Sequence, residues 1–366
     1  MIDWTASMQR SFEFYEVDPR TWFDIRQLDF VETCNITKDL SKDTIQSMSI
    51  SVSENIGEIY IRVYMVVYQN GKEYKLPIGT FLSQTPSYSF DGKVRKTTLD
   101  CFSPLIELKE KKPPLGYTIL KGSNILKYVH DLCQENMRGP IGQEPSGELK
   151  TLYDNLTAAS GDTWLSFLVK LAQQAQVSFK MDHDSRLLFE PNVNIAAMSP
   201  VYEFTDDNSS ILYPDISLER DLYGIPNVVE VVSSTADGYF YAKVTNDDPG
   251  SLTSTVSRGR EIHYRETNPS LGFDINEESI KQYAEGKLRE LNSLEYTVSF
   301  KHGYHHDVNL GDCVLLNYNS AGIRNVKARI ISQSLECNTE CSVNETAVFT
   351  VNLWKATAET SSSYEV

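Results

Sequence analysis

From its start to about residue 112, the chain alternates apolar and polar side chains with a period of two, the period of a strand with one buried face. Met48-Ser49-Ile50-Ser51-Val52 shows this most clearly, and residues 59–68 form a longer β-branched and aromatic run that ends just before Asn70-Gly71. Asn-Gly between two such runs predicts a two-residue hairpin, because both turn positions need positive φ. The return strand covers residues 73–82, with Pro77 and Gly79 marking a bend or an edge. Tyr88-Ser89-Phe90 meets a second turn at Asp91-Gly92, and residues 94–102 come back. An antiparallel meander of this kind suits a small barrel or sandwich.

Lys109-Glu110-Lys111-Lys112-Pro113-Pro114 interrupts the pattern as a linker, and the period then becomes helical. Ser123 is placed to cap a helix carrying Ile125, Leu126, Val129, Leu132 and Cys133 on one face. Asp162 is placed to cap a second helix with a stripe of Trp164, Leu165, Leu168, Leu171, Ala172 and Ala175. Short strands at 177–181 and 186–189 flank a turn at Asp182-His183-Asp184.

From about Asp215 the chain reads as β again, with strands at 226–232 and 239–244 around the turn Ala236-Asp237-Gly238. Asn276 caps a helix whose first turn carries Glu277 and Glu278, where the helix dipole favours anions. Further strands cover 295–300, 313–316, 326–334 and 346–354, with a turn at Leu310-Gly311-Asp312.

The predicted class is α+β, mostly β: two tube-like antiparallel β-barrel modules bracketing a smaller α+β domain, with a C-terminal β extension. The expected division is a first barrel at 1–112, a middle domain at 113–215, a second barrel at 216–300, and a C-terminal segment at 301–366. That last segment completes the second barrel and ends in a loose polar tail.

Composition narrows the function classes. The 366 residues carry 50 acidic against 34 basic side chains, a formal charge of −16, which disfavours bulk attraction to a phosphate backbone. It leaves open a wall past which DNA slides without sticking. No apolar run is long enough to span a membrane, and Met1-Ile2-Asp3-Trp4 opens no secretory signal, so folding in the cytoplasm is expected. Cys34, Cys101, Cys133, Cys313, Cys337 and Cys341 are scattered without CxxC spacing, which reads as reduced thiols. Cys337 and Cys341 flank a hairpin tip, where a bridge is possible but unneeded.

Candidate chemistry is sparse. His302, His305, His306 and Asp307 form the densest cluster of metal-ligating and acid–base side chains. All lie on one loop without a partner ligand at recognisable spacing, so a polar loop is the expected role, with no catalytic residue, metal or cofactor assigned. Asp206-Asp207 and Asp247-Asp248 border turn residues and read as turn chemistry. Nucleotide-binding glycine motifs and a Gly-x-Ser-x-Gly elbow are absent from the sequence. Tyr60, Tyr64 and Tyr68 share one strand face, as core packing or as a subunit interface. Arg258 and Arg260 form a small basic spot suited to a neighbour's acidic surface.

The order of these segments resembles the hub proteins of phage tails and related contractile injection machines. The likeness is carried by Leu76-Pro77-Ile78-Gly79-Thr80-Phe81-Leu82 followed by Tyr88–Gly92, by a closing strand at 101–108, and by Gly161-Asp162-Thr163-Trp164-Leu165. It continues through Pro226-Asn227-Val228-Val229, Asn246-Asp247-Asp248-Pro249, the tract 251–260, the helix at 277–292, and Val308-Asn309-Leu310-Gly311-Asp312-Cys313-Val314. Asn309-Leu310 departs from the proline usual before Gly-Asp in that family. The chain also stops soon after Trp354, so a separate spike or fiber protein is implied.

The resemblance implies a structural, non-enzymatic homotrimer in the virion tail, assembled in the host bacterial cytoplasm. Three copies would present six barrels, joining a sixfold tail tube or distal tail protein to a threefold spike, fiber or tape-measure protein. DNA would pass through the channel without specific binding. A tail-associated cell-wall hydrolase and a carbohydrate-binding adhesin are the alternatives.

Overall fold

The computed structural model describes residues 2–352 apart from 55, 91, 93–94, 144–149, 208–209, 220–221, 236–237 and 270–275. The first section is all strand: β1 (Gln9–Val17), β2 (Asp24–Gln27), β3 (Val31–Asp39), β4 (Gln46–Val52), β5 (Tyr60–Gln69), β6 (Lys72–Phe90) and β7 (Arg95–Phe102). The Asn70-Gly71 hairpin forms as its chemistry requires, with φ of 51° and 74° and Gln69 opposite Lys72. The turn at Asp91 lies outside the described residues, but Phe90 pairs with Arg95 across it.

The closing strand expected at 101–108 stops at Phe102. Pro104 starts a helix instead, α1 (Leu105–Glu110), whose φ of −55° at Pro104 suits a helix N-terminus. The middle section adds β8 (Thr118–Ile119), α2 (Ile125–Asn136), β9 (Leu156–Thr157), α3 (Trp164–Gln174), β10 (Val177–Met181) and β11 (Leu187–Pro191). Both helix caps sit one residue later than their sequence expectation. Asn124, not Ser123, accepts from the Lys127 N–H, and Thr163, not Asp162, exchanges capping bonds with Ser166. Asp162 instead holds Lys170 at 2.6 Å.

The remainder comprises β12 (Tyr202–Thr205), β13 (Leu212–Glu219), β14 (Val228–Thr235), β15 (Gly238–Thr245), α4 (Thr255–Arg258), β16 (His263–Thr267), α5 (Glu277–Leu291), β17 (Ser293–Gly303), β18 (Cys313–Tyr318), β19 (Ile323–Glu336) and β20 (Ser342–Asn352). The fold is mostly β, in the α+β class.

One continuous sheet links the two ends of the chain. Its order is β13-β17-β20-β19-β3-β4-β7-β6-β5-β1-β2, with β18 on the open side of β19 and β12 parallel to β18. The seam is the antiparallel pair β3–β19, in which Asn35–Asp39 face Ser332–Glu336. One core packs under the first section around Ile36, Ile50, Ile61, Met65 and Phe81, and takes Leu335 and Val343 from the last strands. A second core joins the middle helices to the C-terminal strands through Phe167, Leu168, Leu171, Phe204, Phe300 and Ile330.

The strands grouped by sequence at 216–300 separate into two sets. β17 enters the large sheet, whereas β14, β15 and β16 form their own three-stranded sheet covered on one face by α5. The alternation explains the split. Val229, Val231 and Ala242 meet Ile280, Ala284 and Leu288 of the helix, while Glu230, Tyr239 and Tyr241 take the other face.

The tract 246–260 is tied to this module by buried side-chain amides rather than apolar packing. Asn227 is fully buried; its Nδ2 donates to the carbonyls of Thr253 (3.1 Å) and Arg260 (3.0 Å), and its Oδ1 accepts from the Ile262 N–H (2.7 Å). Asn292 at the end of α5 accepts from the Thr253 hydroxyl at 2.6 Å and donates to the Pro226 carbonyl at 3.0 Å.

Candidate functional site

Two places gather the side chains singled out by sequence. The first is a junction where the chain's sections meet at the end of β17. His302 is buried, and its Nε2 lies 3.1 Å from Glu345 Oε1 on β20, which also accepts from Gln333 Nε2 of β19 at 2.9 Å. His305 packs against Trp4 of the N-terminal arm and Tyr202 of β12, with centroids at 5.3 and 4.3 Å. His306 stacks on His183 from the β10–β11 turn at 4.0 Å, and His183 Nε2 lies 2.8 Å from the His306 carbonyl, an acceptor. The Tyr304 hydroxyl reaches His306 Nδ1 at 3.0 Å.

His302 lies in β17 rather than on the loop with His305 and His306, and the three imidazoles diverge to three different partners. Among the described residues no group of three or more His, Cys, Asp or Glu is arranged to hold a metal ion. Burial holds His183 near a pKa of about 2 and His305 near about 4, so those two rings are neutral at physiological pH. Lys38 of β3 is buried beside Glu345, and its loss of solvation brings it down to about 8.

The second place is the free end of the sheet at β2. The stripe Tyr60, Tyr64, Tyr68 does not act as a unit there. Tyr60 is 1 % exposed: its ring meets Trp22 edge-on at 4.9 Å and its hydroxyl donates to Glu107 at 2.6 Å. Glu107 also pairs with Arg138 at 2.6 Å. Tyr64 is half-buried and donates to Asp24 on β2 at 2.9 Å, beside Arg62, which pairs with the same carboxylate at 2.9 Å. Tyr68 alone is exposed.

Tyr64 thus braces β2 directly and Tyr60 braces Trp22 just before it, and β2 is the element that faces outward. All four of its residues are exposed, Ile25 to 58 %, as is Phe23 just before it to 74 %, and among the described residues its one partner in the sheet is β1. An open strand edge with exposed apolar side chains is a template for pairing. Sequence reading overlooked Trp22-Phe23-Asp24-Ile25-Arg26, although its alternation was the signal available. At the opposite end of the sheet β13 is also terminal, with Tyr213 under the Lys301 ammonium at 5.3 Å.

Arg258 and Arg260 part company. Arg258 donates to the carbonyls of Ile225 (3.0 Å) and Leu222 (2.8 Å), closing a loop, while Arg260 is exposed. Asp248 serves its local turn, accepting from the Gly250 N–H, whereas Asp206 accepts from the distant Ser320 N–H rather than from its own turn.

The fold is similar to that of solved phage tail proteins. No family model matches the chain, and no curated protein matches it. Among solved structures, the tail protein from Neisseria meningitidis MC58 superposes with a TM-score of 0.61 at 13% identity, covering 93% of this chain and 97% of that one. The 43 kDa tail protein of prophage MuSo2 from Shewanella oneidensis also gives 0.61, at 11% identity, covering 94% and 99%. A chain of the lidded Francisella PdpA-VgrG complex gives 0.55 at 9% identity, covering 93% of this chain and 53% of that one. No helix among the described residues is long and apolar enough to cross a membrane.

Proposed function

We propose that the chain is a structural subunit of a phage-type tail tip, acting as a homotrimeric hub rather than as an enzyme. The observation that carries this reading is the extent of the likeness, which takes in almost the whole of both chains for two tail proteins. The mechanism is geometric. Each copy contributes a sheet whose main path ends at β2 and β13, with β12 a further edge beside β18. End-to-end contact between copies through β2 and β13 would close a ring. If the two β sections each act as one tube-like unit, three copies imitate the sixfold symmetry of a tail tube while offering threefold symmetry to a spike or fiber. A net charge of −16 suits a channel that DNA crosses without binding.

Native mass spectrometry of the purified protein, with subunit counting in an assembled tail, tests the reading. Three copies per tail at the tip support it, and a copy number not divisible by three overturns it. The double variant Phe23→Asp, Ile25→Lys removes the apolar edge without touching the core. It is expected to weaken self-association by roughly 100-fold, the equivalent of about 3 kcal/mol of lost apolar burial. Its monomer melting temperature should be unchanged.

A further inference from the structure

The seam between β3 and β19 sets two cysteines against each other. Asn35 faces Glu336 and Ile36 faces Leu335, so the next pair outward is Cys34 and Cys337, and the Cys337 N–H donates to the Cys34 carbonyl at 3.0 Å. Alternation puts Cys34 on the face of Ile36 and Cys337 on that of Leu335, and all four belong to the same core. Directly opposed residues of a hydrogen-bonded antiparallel pair have Cα atoms ~5.5 Å apart, inside the ~4.4–6.8 Å span of a disulfide.

The pair is also reachable. A cleft of about 270 Å³, lined by Arg10, Phe12, Phe14, Cys34, Cys337 and Thr339, opens onto it, and Cys337 is only half-buried. Cys341, the near neighbour in sequence, is turned away: its Sγ packs on Met65 Sδ at 3.6 Å inside the core. All six thiols are free in this structure.

We infer that Cys34 and Cys337 form a redox-responsive pair that closes into a cross-strand disulfide in an oxidising medium, stapling the first section of the chain to the last. With a small disulfide such as oxidised glutathione as the oxidant, the Cys337 thiolate attacks one glutathione sulfur and expels the other as a thiolate. The Cys34 sulfur then displaces the bound glutathione from Cys337. The two cysteines lose two electrons and two protons, and two glutathione thiols are released.

The neighbouring Cys34 thiol, and then burial, push the Cys337 thiol well above its ordinary range. The attacking thiolate is therefore scarce, and closure is slow. The staple joins residues about three hundred positions apart, so it constrains the unfolded chain strongly. A hydrogen-bonded pair also places its Cβ atoms wider than a relaxed disulfide prefers, which makes the bond easy to reduce.

The full-length protein, folded and without denaturant, is incubated with oxidised glutathione and analysed by intact mass and peptide mapping. The expected result is loss of two hydrogens, a cross-linked peptide joining Cys34 to Cys337, and a melting temperature higher by on the order of 5 °C, all reversed by dithiothreitol. Cys341→Ser should behave as the wild type. Cross-linking of Cys337 to Cys341, glutathione adducts without a cross-link, or no reaction overturns the inference. Peptide mapping on the unsubstituted protein needs no variant to fold, and the outcome does not depend on the oligomeric state.

Discussion

Acidifying the protein from neutral pH to about pH 4.5 is expected to destabilise it steeply, before most of its surface carboxylates titrate. The source is the histidine junction. Burial depresses the pKa of His305 to about 4 and of His183 to about 2, against an ordinary value of 6.5, and it lowers His306 as well. A base whose folded pKa is depressed binds its proton more readily when unfolded. Between pH 6.5 and the folded pKa the unfolded chain therefore holds more protons, and stability falls as pH falls. By pH 4 the loss is on the order of 3 kcal/mol from each of His183 and His305.

The groups around these rings set the balance. Lys38 opposes protonation of His183 and His306, Asp307 favours it at His305, and Asp184 and Asp307 favour it at His306. Urea titrations across this range measure the effect, and the double variant His183→Phe, His305→Phe should flatten it. An unchanged slope in that variant would assign the acid sensitivity to carboxylates. Lys38, depressed to about 8, works in the same sense at alkaline pH, its burial cost easing as pH rises from 8 towards its ordinary 10.5.

Replacing Asn227 by Leu is expected to cost about 3–5 kcal/mol in the module formed by β14–β16 and α5. The substitution strands the carbonyls of Thr253 and Arg260 and the N–H of Ile262, each of which now bonds the buried amide. The module's own apolar core is small, consisting of Val229, Val231, Ala242, Ile280, Ala284 and Leu288. Loss of the amide should therefore loosen it independently of the large sheet. Hydrogen exchange is the measurement: protection is expected to fall across β14–β16 and α5 while β3, β4 and β19 keep theirs. Equal loss in both regions would show that the module and the sheet unfold together.

The tract around Asn227 shows how a likeness readable in sequence acquires a physical cause. Pro226-Asn227-Val228-Val229, Asn246 and Ser251–Thr253 carried part of the resemblance, and in the fold they are the buried polar network that fixes α4 and the end of α5. Helical stripes transferred directly: Val129 and Leu132, Leu168 and Leu171, and Ile280 and Leu288 are all buried. The strand read from alternation at 94–102 ends at Phe102 as expected, whereas the longer closing strand at 101–108 came from the resemblance and gives way to a helix that buries Leu105 and Leu108. The tyrosine stripe was correctly placed on one strand, but its surroundings are supplied by Trp22, Asp24 and Glu107, which the spacing of the tyrosines does not reveal.

What the amino-acid order determined alone was local: the strands, the helical faces, the Asn70-Gly71 turn and the mostly β class, because each follows from side-chain period and allowed φ within a few residues. What only the tertiary structure decided was which distant strands meet. The seam of β3 on β19 brings Cys34 to Cys337 and Lys38 to Glu345, and the β10–β11 turn delivers His183 to His306. Pairings across such separations are selected by the burial of whole faces, and no short stretch of sequence carries that information.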